Sequence, residues 1–181
     1  MAPRSSKVNY EVWRLPFTGP INELPANELI IYREWFTGVM PDRMKLLNAA
    51  VSNTPGFGGW TGAATVESLE VVSDWLMRAV GSSAHVESIS TNELVSMSWD
   101  VGLHMASVLI AQQGWQWQQY LVSRRIVDYG HMVVTAPNRT FRNTLRQANV
   151  IVDRIQEGRW ESGDMLALYQ RAVMEAAAPL N

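Results

Sequence analysis

The chain of 181 residues contains no cysteine. This absence excludes a disulfide framework, a thiolate nucleophile and any metal site built on sulfur. Chains without disulfides suit a reducing compartment, so we expect a cytoplasmic protein. No apolar run approaches the ~18 residues of a membrane-spanning helix, and no apolar segment follows the basic N-terminus as a secretion signal would require. We therefore expect neither a signal peptide nor a membrane partner.

Lysine is almost absent as well. Of the fifteen basic residues only Lys7 and Lys45 are lysines, and the other thirteen are arginines. Residues 1–100 carry eleven acidic residues against seven basic ones, whereas residues 121–160 carry seven arginines against three acids. The planar guanidinium of arginine suits fixed pairing with carboxylates or phosphates better than the lysine ammonium does. The sequence thus predicts a local basic surface on a protein whose net charge is −2.

The short motifs of common catalytic and nucleotide sites are also missing. The chain has no HExxH, no GxSxG, no EF-hand loop and no GxGxxG after a strand. Residues 53–62 contain four glycines, but the lysine and hydroxyl residue of a phosphate-binding loop do not follow them. We interpret this segment as an irregular connection that is fixed by the burial of Phe57 and Trp60.

A long helix over residues 90–113 is the clearest element that is present. Ser90 and Glu93 have the spacing of a capping box, and Gly114 is the expected C-terminal stop. The apolar face of this helix is broader than a surface helix needs, which predicts a central position in the fold. Ser98, Gly102 and Ala106 recur every four residues on that face, so another backbone can approach the helix closely there.

After this helix the periodicity changes to that of strands. Residues 115–121 alternate apolar and polar side chains, and residues 126–134 are rich in β-branched and aromatic residues. Residues 8–13 also alternate and are a candidate third strand. The sequence therefore predicts a helix-dominated α+β fold in one domain, with a small antiparallel sheet of two or three strands. Residues 1–21 are expected to form an extended arm.

About six helices are expected in total. Their apolar spacing and their proline or glycine boundaries place them at about residues 25–37, 41–51, 66–80, 90–113, 137–157 and 162–178. On the fifth of these, Arg139, Arg142 and Arg146 are expected to share the side that faces solvent.

Aromatic and arginine residues around the predicted strands suggest a contact surface. Trp115 and Trp117 share one strand face, which packs on the central helix or forms an exposed aromatic patch. Tryptophan, tyrosine and arginine are the residue types enriched in the energetically important parts of protein interfaces. The candidate partner-binding residues are Trp115, Trp117, Arg124, Arg125, Tyr129, Arg139, Arg142 and Arg146.

These features favour a non-enzymatic protein of bacterial type that binds another protein, such as an immunity-like inhibitor or an adaptor. The expected partner is a protein with an acidic surface. Self-association through the same surface, as in a homo-oligomeric structural subunit, is an alternative. Nucleic acid is disfavoured by the isoelectric point near 5.9, by the scarcity of lysine and by the absence of a known nucleic-acid-binding motif.

A hydrolase or nuclease is the alternative from a different class. Asp100 and His104 are four residues apart on one helix, and Asp128 and His131 follow in the strand region. A metal site needs three or four such ligands, and a catalytic pair needs a nucleophile or a shaped pocket. The sequence requires no contact between the two pairs. Because the chain offers only the one i, i+4 pair and no cysteine, we expect no metal and no cofactor.

Overall fold

The computed structural model describes residues 10–81 and 89–178, and it confirms a helix-dominated α+β fold. Three short strands form an antiparallel sheet in the order β1, β2, β3, with β1 at Gln116–Gln119, β2 at Met132–Thr135 and β3 at Phe141–Arg142. The helices within these residues are α1 (Ala26–Ser52), α2 (Val66–Gly81), α3 (Thr91–Gln113), α4 (Thr144–Gln156) and α5 (Asp164–Ala177).

Helix α3 lies at the centre of the fold, as the sequence predicts. The Ser90 hydroxyl accepts from the Glu93 amide at 3.3 Å, and the Glu93 carboxylate accepts from the Ser90 amide at 2.8 Å. Gly114 ends the helix in the left-handed conformation with φ 67°. By length and composition α3 could cross a membrane, but 67% of its most apolar stretch is buried inside the fold. Core helices of soluble proteins pass the same test.

Helix α4 approaches α3 closely at Gly102. A Cβ atom added to Gly102 would lie 2.7 Å from the Leu145 Cα atom and 2.8 Å from the Thr144 carbonyl oxygen. These neighbours are backbone atoms, which cannot rotate away as a side chain can. A second backbone therefore approaches α3 at Gly102, the middle member of the predicted row of small residues.

Replacing Gly102 with alanine should push α3 and α4 apart. Overpacking of this kind costs ~1–3 kcal/mol, and we expect a loss of that size in the free energy of unfolding measured with urea. Gly38→Ala is the matched control, because nothing lies within 4 Å of a Cβ atom there. In the middle of a helix that change should instead stabilise by ~0.5–1 kcal/mol. Equal effects of the two substitutions would contradict the close approach at Gly102.

One prediction about the helices is wrong: the two expected over residues 25–37 and 41–51 are a single helix, α1, with Pro41 inside it. Proline removes one helical hydrogen bond and usually bends or ends a helix. Here tertiary packing holds the helix together on both sides of Pro41. Tyr32 and Phe36 are buried in one core cluster and Leu47 and Val51 in another, each at most 1% exposed. The helix count is therefore five in the described residues.

The sheet differs from its prediction in two places. Residues 126–131 form turns, in which the Tyr129 amide donates to the Ile126 carbonyl at 2.9 Å and the His131 amide to the Asp128 carbonyl at 3.0 Å. In the candidate strand 8–13, residues 8 and 9 lie outside the described part. Its residues 10–13 pair with no strand of the described chain, because the Tyr10 and Trp13 amides donate to side chains of α3.

The expected helix over residues 137–157 is also wrong in its first seven residues. Pro137 begins a hairpin turn, Phe141 and Arg142 form β3, and α4 starts only at Thr144. Asn143 is the N-cap, because its side-chain oxygen accepts from the Arg146 amide at 3.0 Å. The third strand is thus β3, which is too short for an alternating pattern to be visible in the sequence.

Candidate functional site

A groove of about 690 Å³ has three walls. The first is the β2–β3 turn together with β3, the second is the outer face of α4, and the third is α5 together with the segment that precedes it. Four arginines line it, namely Arg139, Arg142, Arg146 and Arg154. Among the described residues of the lining, Asp128 supplies the one carboxylate. We call this feature the arginine groove.

Arg139 reaches the groove from an unusual backbone conformation. The Arg139 amide donates to the Ala136 carbonyl at 2.9 Å, and the Ala136 amide donates to the Thr140 carbonyl at 2.8 Å. This is the three-residue hairpin loop whose last residue is left-handed, a position that usually holds glycine. Arg139 has φ 70° and is the one non-glycine residue with positive φ in the described chain. The left-handed conformation costs an L-residue ~1–2 kcal/mol.

Arg142 is the most constrained of the four arginines. One guanidinium nitrogen forms an ion pair with Glu175 of α5, and another donates to the Phe141 carbonyl at 2.9 Å. Burial and the nearby positive charge of Arg171 lower the pKa of Arg142 below its usual range. This residue therefore joins β3 to α5, besides lining the groove.

The remaining two arginines lie on α4, and their side chains are more exposed than that of Arg142. Arg146 lies 3.6 Å from an Asp128 oxygen, and the same carboxylate accepts from the Asn143 amide group at 2.8 Å. Arg154, like Arg139, forms no ion pair within residues 10–81 and 89–178. The groove thus has an excess of positive charge over the carboxylates that face it.

The floor of the groove is apolar. Phe141 packs on the Tyr120 ring with centroids 4.5 Å apart, and Trp160 is held by a 3.1 Å bond from its indole nitrogen to the Ser73 hydroxyl. Val150 is 45% exposed between the two α4 arginines, and Leu168 of α5 completes this surface. A ligand that fits both features needs negative charges and at least one apolar group.

The predicted aromatic patch is not part of this groove. Trp115 is 2% exposed and packs with Ala106, Leu109 and Val134, so it belongs to the core. Trp117 is half-buried, and its ring meets Phe36 edge-on with centroids 5.2 Å apart. Both tryptophans therefore follow the alternative in which the strand face packs on helices.

Arg124, Arg125 and Tyr129 lie in the turns between β1 and β2. The Arg124 guanidinium lies over the Tyr129 ring at 5.3 Å from its centroid, and Arg125 is exposed. Neither arginine lines the groove. Of the eight candidate contact residues, the structure brings Arg139, Arg142 and Arg146 together, and it adds Arg154.

Asp100, a candidate in the enzymatic alternative, is the acceptor of a buried network. Arg43 donates to its two oxygens at 3.0 and 2.6 Å, while the Tyr10 hydroxyl and the Trp13 indole each donate at 2.7 Å. The Arg43 guanidinium lies over both the Tyr10 and Trp13 rings, at 5.7 and 5.2 Å. Burial raises the pKa of Asp100, and the hydrogen bonds from these donors act in the opposite direction. This carboxylate fastens residues 10–13 of the N-terminal arm to α1 and α3.

His104 has different neighbours from Asp100. Its Nε2 lies 2.8 Å from the Ser68 hydroxyl, and the Trp60 ring of the glycine-rich connection covers it at 5.2 Å between centroids. Its Nδ1 has no hydrogen-bond partner, and burial lowers the pKa of His104 to about 4. Because the Ser68 hydroxyl also lies 2.5 Å from the Thr65 carbonyl, Ser68 donates to that oxygen and accepts from His104 Nε2–H.

The other half of the proposed catalytic group, Asp128 and His131, lies at the end of the β1–β2 connection. Burial lowers the pKa of His131, with Asp128 and Arg146 acting in opposite directions. No bond in the described chain links these two residues to Asp100 or His104. In residues 10–81 and 89–178, no three histidine, aspartate or glutamate side chains come together to hold a metal ion.

Sequence reasoning missed Arg154 and the apolar floor of the groove. A signal was present: Arg146, Val150 and Arg154 are spaced by four on a predicted helix, which places them along one side. The contributions of Trp160 and Leu168 depend on how α5 packs and have no local signal. Comparison of the chain with protein-family models, with curated proteins and with solved structures finds no match.

Proposed function

We propose that this protein is a non-enzymatic binding protein, of the immunity-like or adaptor type, that holds an acidic segment of a partner protein in the arginine groove. The observation that carries the proposal is the composition of that groove. Four arginines and one aspartate line an apolar floor. Hydrogen bonds from arginine to a carboxylate are about twice as strong as neutral ones and are often bidentate.

The conformation of Arg139 supports the same function. A left-handed position that glycine would fill without strain carries an arginine whose side chain lines the groove. Strained backbone is concentrated at active sites and ligand-binding sites, where the surrounding structure holds the strained residue in place. Arg139 forms no ion pair in the described residues, so its guanidinium is available to a ligand of the groove.

A protein partner fits this surface better than nucleic acid does. Val150, Trp160 and Leu168 give the groove an apolar floor that a phosphate backbone would leave unused. The net charge of −2 also gives the protein no overall attraction for a long polyanion. A short acidic segment meets only the local positive potential, which quickens association and selects the partner.

Peptide selection tests this function without knowledge of the partner. Random heptapeptides displayed on phage and selected on the immobilised protein should be enriched in aspartate and glutamate together with an apolar residue. The double variant Arg139→Gly with Arg154→Ala should lose at least a hundredfold in affinity for the selected peptides, because a buried interface arginine is worth ~2 kcal/mol or more. Isothermal titration calorimetry measures the loss.

The matched control is Arg14→Ala with Arg33→Ala, which removes the same charge from exposed positions outside the groove. This control should bind as the parent does. Arg139→Gly alone should leave the free energy of unfolding unchanged or raise it by up to ~1 kcal/mol, since strain is relieved. Selected peptides without acidic residues, or equal losses in the two double variants, would overturn the proposed function.

A further inference from the structure

The geometry points to an extended segment as the ligand of the groove, with an acidic, an apolar and a second acidic side chain at alternate positions. This inference rests on the proposed function and specifies the partner's recognition motif. It follows from the spacing of groups along α4 and from the edge strand beside them.

Helix α4 presents a regular series of groups to the groove. Arg146, Val150 and Arg154 are four residues apart and all line it. At 1.5 Å per residue, the two arginine Cα atoms lie ~12 Å apart along the helix axis, with the valine halfway between them. The series is therefore positive, apolar, positive, in steps of ~6 Å.

An extended chain matches this series. In a strand, residues i, i+2 and i+4 lie on one face, and successive members of that set are ~6.6 Å apart. Carboxylates at i and i+4 are then ~13 Å apart, which fits the separation of Arg146 and Arg154. An apolar side chain at i+2 meets Val150 and reaches the floor formed by Trp160 and Leu168.

The edge of the sheet favours an extended ligand over a helical one. Strand β3 is at one end of the sheet, and residues 140–143 line the groove. The Ala136 amide donates to the Thr140 carbonyl across the hairpin, so that carbonyl points toward β2. By the alternation of an antiparallel ladder, the Phe141 amide then points away from β2. An extended segment can bond to such an edge, whereas the amides of a helix are already bonded internally.

Synthetic peptides of equal composition test the motif. The first is an acetylated and amidated heptapeptide of threonines with glutamate at its second and sixth positions and leucine at the fourth. Its isomer has the two glutamates adjacent. We expect the alternating peptide to bind at least tenfold more tightly by isothermal titration calorimetry, which is ~1.4 kcal/mol.

Two further measurements identify the groups involved. Arg146→Ala and Arg154→Ala should each abolish the advantage of the alternating peptide over its isomer, whereas Arg33→Ala should leave it unchanged. An alanine-rich helical peptide with glutamates eight residues apart and leucine midway should bind more weakly than the alternating one. Equal binding of the two isomers, or tighter binding of the helical peptide, would overturn the motif while leaving an acidic ligand in place. If the peptides selected on phage contained no acidic residues, that result would instead contradict the proposed function itself.

Discussion

Replacing Asp100 with alanine is expected to lower the free energy of unfolding by ~3–5 kcal/mol, because breaking a buried ion pair leaves a charge without its partner. The charge left behind is Arg43, which is 7% exposed. The Tyr10 hydroxyl and the Trp13 indole lose their acceptor in the same step. Urea denaturation followed by circular dichroism measures the change, and tryptophan fluorescence reports on Trp13.

Three comparisons make this prediction specific. Asp100→Asn keeps an acceptor oxygen, so its free energy of unfolding should fall less than that of the alanine variant. Asp100→Leu combined with Arg43→Met should recover part of the loss, since well-packed apolar residues often replace a buried ion pair without cost. Asp153→Ala, a substitution at an exposed position of α4, should change the free energy of unfolding by less than ~0.5 kcal/mol. An Asp100→Ala variant as stable as the parent would show that the arm is held mainly by aromatic packing.

The burial of Asp100 shows where local patterns stop being informative. On a helical wheel, Glu93, Asp100 and His104 lie on the polar side of α3, away from its apolar stripe. In the structure this side is covered by residues 10–13 and by the glycine-rich connection, and Asp100 and His104 are each 0% exposed. The bonds that cover Asp100 join residues 57 to 90 positions apart in sequence. No periodicity of α3 alone can indicate them.

Local signals were reliable where local physics decides the conformation. The capping box at Ser90, the left-handed Gly114 and the small residue at Gly102 follow from backbone geometry within a few residues, and all three are confirmed. The turns at residues 126–131 were not predicted, although Ile126 and Val127 are good strand formers. Their side chains are 39% and 50% exposed, so no packing on a core favours a strand there.

The candidate site was predicted in part, and for an incorrect structural reason. The sequence predicts Arg139, Arg142 and Arg146 as neighbours on one helix face, and the structure places all three in the lining of one groove. They were expected on one helix, but they come from a turn, a strand and a helix respectively. Their convergence depends on the β2–β3 hairpin, whose second strand has two residues. A strand that short leaves no pattern in the sequence.

Acidification is expected to destabilise the protein through His104. Burial lowers the folded-state pKa of this residue to about 4 from an ordinary value of 6.5, so the folded protein holds it neutral. The contribution of neutral His104 to the free energy of unfolding is complete above pH 6.5 and is lost progressively as the pH falls toward 4. Each pKa unit is worth 1.36 kcal/mol, so the full effect is ~3 kcal/mol, of which ~2 kcal/mol is lost between pH 7 and pH 5.

His104→Leu isolates this contribution, since leucine does not titrate and removes the Nδ1 atom that has no partner. Ser68 keeps its bond to the Thr65 carbonyl at 2.5 Å, so the variant leaves no new unpaired hydroxyl. The free energy of unfolding measured at a series of pH values should fall less steeply for this variant than for the parent between pH 7 and pH 5. His131→Gln is the control for the second histidine whose pKa burial lowers. Because His131 is only partly buried, its substitution should flatten the profile less than His104→Leu does. Parallel profiles for the parent and His104→Leu would contradict the prediction, because they would show that His104 already accepts a proton in the folded state.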